Sequence, residues 1–340
     1  MSADALSGVR TAGKAVVTGA AGFIGSHLVE ALRRSGTNVV AIDRKSNWAT
    51  GEIPPTAELG SLHTIRADLV SADLSACLDN AATVFHLAAL PGVRPSWTQF
   101  PDYLHCNVLA TQRLMDACVR AGVPRVVMAS SSSVYGGAEG TMSEDDLPRP
   151  LSPYGVTKLA AERLALAFAA RRDAALSVSA LRFFTVYGPG QRPDMFIGRV
   201  IRATLENKPI EVYGDGTQIR DFVHVSDIVH ALTLAATTPD KGSSVLNIGT
   251  GRFASMNEVL ALTGELTGRT PDARYGPARI GDVRATTADV GRARKRLGFT
   301  ARTDLRAGLA TQIEWARQSL ARTPPHETAS PAQMAPTHRS

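Results

Sequence analysis

The chain has 340 residues, a formal net charge of +6 and a composition that is 44% hydrophobic and 20% charged. That is enough apolar material for a large core, and no run of eighteen uncharged apolar residues reads as a membrane span. Its arginines are scattered and not interleaved with aromatics, which argues against nucleic acid and for a small polyanionic ligand.

From Lys14 onward the segments alternate in character. "KAVVTG" reads as a buried strand, Phe23–Arg34 as an amphipathic helix, "NVVAID" as a second strand and "LHTIRAD" as a third. "TVFHLAA" and "RVVMAS" come next as the fourth and fifth, with helices expected around 101–121 and 153–171, and "SVSALRF" as the sixth. Continuous apolar strands separated by helices indicate a parallel sheet covered on both faces, a doubly wound α/β fold. Past "YGPGQRPDM" the pattern loosens into glycines, prolines, short strands ("IEVYG", "DFVHV") and helices near 195–206 and 226–236. We read residues 13–190 as a dinucleotide-binding domain with return segments near 220–250, "VLNIG" among them. Residues 191–320 read as mainly a smaller α/β substrate lobe, interleaved with the first. Residues 1–12 and the Pro/Ser/Thr-rich 323–340 are expected to be disordered. The first ten residues carry an acid and lack the apolar core of a signal peptide, so a cytoplasmic location is expected. Cys77, Cys106 and Cys118 cannot all pair and read as reduced thiols. The eight histidines show no ligand-like spacing, and no metal is expected.

"VVTGAAGFIGSHL" sets Gly19, Gly22 and Gly25 at a strand-to-helix turn, with Phe23 and Ile24 opening the helix. Glycines there let a pyrophosphate approach backbone N–H groups at the positive end of a helix. The second strand ends in Asp43, whose carboxylate suits both hydroxyls of an adenosine ribose and repels a 2′-phosphate; that favours NAD over NADP. Arg44 beside it argues the other way. Asp68 and Leu69 are expected near the adenine, and Leu87, Ala88 and Ala89 along the pyrophosphate and ribose, with plain strand-end packing as the alternative.

Ser152 is suited to cap a helix that begins at Pro153. Tyr154 then lies in its first turn and Lys158 one turn later on the same face. An ammonium and a helix N-terminus both favour a phenolate, so Tyr154 is expected to exchange a proton with a substrate hydroxyl. "MASSSSVYG" adds a hydroxyl cluster beyond the fifth strand, where open α/β sheets bind ligands.

These motifs, in this order with "HLAA", "YGVTK" and "RDFVHVSDIV", resemble the extended short-chain dehydrogenase/reductase family across residues 14–320, and within it the nucleotide-sugar epimerases and dehydratases. The resemblance implies bound NAD, a homodimer, Ser131 as a catalytic hydroxyl on the sugar 4-hydroxyl, Tyr154 as base, and Lys158 also on the nicotinamide ribose. It further implies Asn107 at the cofactor and Arg94 at the substrate. Similar dehydratases carry Asp-Glu directly after the catalytic hydroxyl, and similar decarboxylases a Glu two residues before the VYG tyrosine. Here Ser132 and Ser133 hold those positions, which leaves 4-epimerisation through a 4-keto sugar.

On the same correspondence Arg220 and Arg279 meet the pyrophosphate of a nucleotide sugar, Asp282 the nucleotide ribose and Tyr213 the base. Arg284 competes with Arg279 for its part. UDP is the usual nucleotide of this branch, without excluding another. Thr185 and Arg192 in "FFTVYGPGQRPDM" resemble UDP-glucuronate 4-epimerases more than UDP-glucose epimerases, since an arginine facing sugar C6 suits a carboxylate. Two alternatives stand beside that reading: a neutral hexose substrate, and an Arg192 that merely pairs with Asp194 and stiffens its loop.

Overall fold

The structure is a computed structural model, and it describes residues 13–51, 59–137, 140–240, 242–278 and 284–322. The expectations of disorder at both termini fall outside them.

A seven-stranded sheet carries the chain. Across it the strands run Ser244–Ile248, Ser177–Phe183, Arg125–Ser131, Ala81–His86, Lys14–Thr18, Val39–Asp43 and Leu62–Arg66, and every neighbouring pair is parallel. The order reverses direction at Lys14–Thr18, the point where such sheets open a crevice beyond their carboxyl ends. Pleating sends alternate residues to opposite faces. Val16, Val84, Val126 and Val178 pack with Leu114, Met115, Ala161 and Ala165 on one side. Val17, Phe85, Val127 and Leu181 pack with Leu28, Leu32, Ile228 and Leu232 on the other. Leu62–Arg66 is the exception, an edge strand without a fully buried residue, in keeping with the three polar residues among its five.

Helix Phe23–Arg34 leaves the first strand at the glycine turn, where two glycines are obligatory. Gly19 has φ +68°, and a Cβ there would lie 2.6 Å from the Ala88 backbone nitrogen. A Cβ on Gly25 would overlap the Gly19 carbonyl oxygen. Helical structure expected around 101–121 forms as Phe100–Tyr103, a wide π-type stretch over Leu104–Leu109 and a regular helix over Ala110–Arg120. It packs against helix Pro153–Ala169.

The smaller lobe is built from short pieces. Ile219–Arg220 lies between Ala254–Ser255 and Ala285–Ala288, and Thr141–Met142 joins the outer edge of Ala285–Ala288. Ile210–Tyr213 pairs with Ala273–Gly276, and Phe222–His224 with Thr185–Tyr187. Helices Phe196–Leu205 and Met256–Thr267 pack together beside them. The lobe therefore closes over the carboxyl ends of the main strands. No helix among the described residues is long and apolar enough to cross a membrane.

Candidate active site

A cleft of about 1160 Å³ runs along those strand ends. At one end it is walled by Gly19, Gly22, Phe23, Ile24, Gly25, Asp43, Arg44, Asp68, Leu69, Leu87, Ala88 and Ala89. Asp43 is aimed by its own backbone surroundings: Oδ2 accepts from Ala21 N–H at 3.0 Å and Oδ1 from Lys45 N–H at 2.9 Å. Arg44 instead turns to Asp68, 3.4 Å away, whose same oxygen faces His105 at 3.3 Å. The Val70 N–H bond holds the Asp68 carboxyl below its usual range, with His105 and Arg44 assisting. A glycine cradle that a Cβ would fill, followed by a pinned carboxylate, fits the pyrophosphate and ribose of a dinucleotide.

Asn107, expected at the cofactor, is buried and is not among the residues that line the cleft. Its Oδ1 accepts from Leu90 N–H at 2.7 Å, and its amide donates to Leu90 O at 3.2 Å and Thr157 Oγ1 at 3.0 Å. It lies fully behind the loop after the fourth strand and holds that loop to the Tyr154 helix.

At the middle of the cleft stand Ser131, Ser132, Ser133, Tyr154 and Lys158. Ser152 caps the helix, its Oγ accepting from Gly155 N–H at 3.1 Å. Tyr154 N–H is satisfied by Ser96 Oγ at 3.0 Å. Its phenol faces Ser131, whose hydroxyl favours the phenolate, and its ring meets Tyr103 edge-on at 6.2 Å. Burial nevertheless pushes the phenol above its ordinary value, and Ser131 offsets only part of this. The Lys158 ammonium is engaged on the strand, its Nζ donating to Ala129 O at 2.6 Å. Burial brings Lys158 itself down to about 8, against an opposing pull from Glu162.

Helix and strand end are thus stitched at two successive turns, Lys158 to Ala129 and Glu162 to Ser130. The last is a 2.7 Å bond from the Ser130 hydroxyl to Glu162 Oε2. Glu162 also grips Arg182 at 2.7 and 3.0 Å, and Arg182 passes on to Tyr135 and Asn247. Behind the cofactor wall, His86 is held between Thr18 (2.8 Å) and Thr111 (2.9 Å), and burial drops it to about 3, so it stays neutral.

The cleft is also lined by Arg94, Thr185, Arg192, Tyr213 and Arg220. The Arg94 guanidinium lies 4.9 Å from the centre of the Tyr213 ring. Arg192 forks onto Asp194 and sends its third arm to Pro91 O at 3.0 Å. Arg279 and Asp282 lie outside the described residues; Arg284, described and exposed, is not part of the cleft lining. Sequence reasoning missed Ser96, Tyr103 and Gln218. Ser96 and Tyr103 enter through loop and helix geometry with no local motif. Gln218 lines the cleft with a buried Oε1 that has no partner. Among the described residues no group of three or more His, Cys, Asp or Glu side chains is arranged to hold a metal.

This site belongs to a known class. The model of the NAD dependent epimerase/dehydratase family matches residues 15–249, and the chain belongs to that family. MoeE5, solved with UDP-glucuronic acid and NAD and again with UDP-glucose and NAD, is 72% identical, with a TM-score of 0.85 over 90% or 91% of this chain and 100% of that one. A UDP-glucuronic acid 4-epimerase from Bacillus cereus, solved with UDP-glucuronic acid and NAD, is 37% identical, with a TM-score of 0.82 over 90% of this chain and 99% of that one. An uncharacterized UDP-glucose epimerase, YtcB of Bacillus subtilis, is 39% identical over 89% of this chain and 97% of its own length. NAD is the cofactor of the family.

Proposed function

We propose that this NAD-dependent UDP-sugar 4-epimerase interconverts UDP-glucuronate and UDP-galacturonate. The observation that carries the reading is Arg192, a guanidinium in the wall of the same cleft as the Tyr154–Ser131 pair and electrostatically coupled to the Tyr154 phenol. The chemistry supplied by NAD, held along the glycine turn and Asp43, is reversible hydride transfer at sugar C4, with the hydride returned to the opposite face of the ring.

The chain's own groups do the rest. Tyr154 takes the proton of the sugar 4-hydroxyl and later gives it back, a role that general acid–base groups fill for about 10²–10⁴ in rate. Ser131 hydrogen-bonds the same oxygen and the phenol, keeping donor and acceptor in line. Lys158 supplies a cation one turn away and a donor for the nicotinamide ribose. Ser132 and Ser133 hold the ring without a carboxylic acid that would promote elimination at C5–C6. A 4-keto uronate is a β-keto acid and loses CO₂ when its carboxylate stands perpendicular to the ketone. Arg192, with hydroxyls from Ser132, Ser133 and Thr185, fixes the carboxylate away from that geometry. Arg220 and Arg279 take the pyrophosphate, Asp282 the nucleotide ribose, and Tyr213 the uracil side.

UDP-glucose is the second reading, favoured by the UDP-glucose complex of the 72% identical neighbour. Leu104 and Leu109 from the stretch 104–109 and Val156 from helix Pro153–Ala169 are exposed apolar residues on the paired helices; they support a homodimer through this face, which sedimentation measures directly. The function itself is tested by incubating the purified chain with UDP-glucuronate and, separately, UDP-glucose, following anomeric protons by NMR. Growth of UDP-galacturonate supports the reading. A pentose or a 4-keto-6-deoxy product overturns it, and conversion of UDP-glucose alone removes the carboxylate site.

A further inference from the structure

Arg192 and Asp194 line the same cleft and face each other. Nε of Arg192 lies 2.9 Å from Oδ1 of Asp194, and Nη2 makes a second, parallel contact to Oδ2. This is the bidentate geometry a sugar carboxylate would adopt on a guanidinium. The fork is therefore already filled, and filled by the same functional group that a uronate would bring. The filling is loose. The Asp194 side chain is 60% exposed and that of Arg192 34%, and ion pairs so open to water contribute only about 0–1 kcal/mol. Arg192 is anchored independently by Pro91 O, so the guanidinium stays in the cleft whichever carboxylate holds it.

We propose that Asp194 is a specificity-determining residue, an internal carboxylate that holds the Arg192 fork when the sugar carries a neutral C6 group and yields it when the sugar carries a carboxylate. The proposal rests on the UDP-sugar reading of the cleft given above. Charge alone has two consequences here. A uronate must displace Asp194 or share the guanidinium with it, which weakens uronate binding. A neutral sugar meets an ion pair instead of a bare cation, which keeps the C6 hydroxymethyl acceptable. The cleft is thereby built to take both substrate types, with Asp194 setting the balance.

The test is steady-state turnover of UDP-glucuronate and UDP-glucose by the wild-type chain, Asp194→Asn, Asp194→Glu, Arg192→Leu and the Arg192→Leu/Asp194→Asn double variant. An open ion pair corresponds to at most about fivefold in an equilibrium. Asp194→Asn is expected to lower KM for UDP-glucuronate about threefold to fivefold with kcat little changed, and to lower kcat/KM for UDP-glucose by a similar factor. Asp194→Glu restores the wild-type ratio, and on the Arg192→Leu background Asp194→Asn moves neither substrate. Equal losses on both sugars would overturn the proposal and make Asp194 a loop brace. An unchanged ratio in Asp194→Asn would also overturn it while leaving the epimerase reading intact. Failure of the wild-type chain on both sugars removes the epimerase reading and the proposal with it.

Discussion

The Lys158 ammonium is 2.6 Å from the carbonyl oxygen of Ala129, the residue two before Ser131 on the fifth strand. One bond thus ties the cation to the strand end that carries the Ser131 hydroxyl, and it leaves the cation buried. The proton equilibrium of Lys158, brought down to about 8 by burial, records what that placement costs.

The cost has a sign that can be measured. Below about pH 8 Lys158 is charged whether the chain is folded or not, and the burial penalty is felt in full. Between that value and an ordinary lysine's, near 10.5, the folded chain sheds the proton first, so stability rises with pH. The shift corresponds to a penalty on the order of 3 kcal/mol at neutral pH. Lys158→Met, assayed without NAD, is therefore expected to melt a few degrees above wild type at pH 7, an advantage that fades toward pH 10.5, while being nearly inactive. Thermal melts across that range check it.

Glu162 should matter far more to stability than Ser130, although they share a hydrogen bond. Arg182 is 1% exposed and Glu162 0%, so Glu162→Gln strands a buried cation, at about 3–5 kcal/mol. Ser130→Ala removes one hydrogen bond and leaves the ion pair whole, at about 1 kcal/mol. Urea unfolding of the two variants separates them. Comparable losses would mean that the Arg182–Glu162 pair contributes little.

Removing the Arg192 guanidinium is expected to discriminate between sugars. Arg192→Leu is expected to lower kcat/KM for UDP-glucuronate about 100-fold, the scale of truncating one partner of a desolvated charge pair, and that for UDP-glucose by less than about fivefold. Equal losses would reduce Arg192 to a loop brace.

Asp43 should govern affinity for the cofactor and its choice. If Asp43 accepts from the two ribose hydroxyls as proposed, Asp43→Ala also removes the repulsion of a 2′-phosphate, and NAD binding is expected to weaken at least tenfold, on the order of one or two charge-assisted hydrogen bonds. NADP should gain relative to NAD. Fluorescence titration of both dinucleotides measures it. Because Arg44 already leans on Asp68, the gain for NADP stays modest.

The architecture was legible because runs such as "VVAI" (39–42) and "VVMA" (126–129) are apolar without alternation, as strands of a sheet covered on both faces are. The Tyr154–Lys158 pair was legible because Ser152 and Pro153 mark a helix start and so set the phase of the helical residues after them. Local pattern carries no such information about Asn107, whose three partners lie at Leu90 and Thr157. Nor does it show that the Tyr154 phenol is pushed up, since that depends on how much protein surrounds the ring. Arg192 was recognised from its motif, with pairing to Asp194 weighed as an alternative to a substrate role. The structure contains the pair and keeps it in the cleft, so the pairing and a role at the sugar are compatible.

The measurement that bears most directly on a transient 4-keto sugar is the fate of the C4 hydrogen. UDP-glucuronate deuterated at C4 would be incubated with the purified chain in ordinary water, and the UDP-galacturonate formed would be examined by NMR and mass spectrometry. Removal and return of a hydride at one carbon predicts full retention of deuterium at C4 of the product, with no hydrogen from solvent. Loss of the label to water would contradict removal and return of a hydride at C4, whereas a decarboxylated product would keep the 4-keto intermediate and contradict epimerisation as its fate.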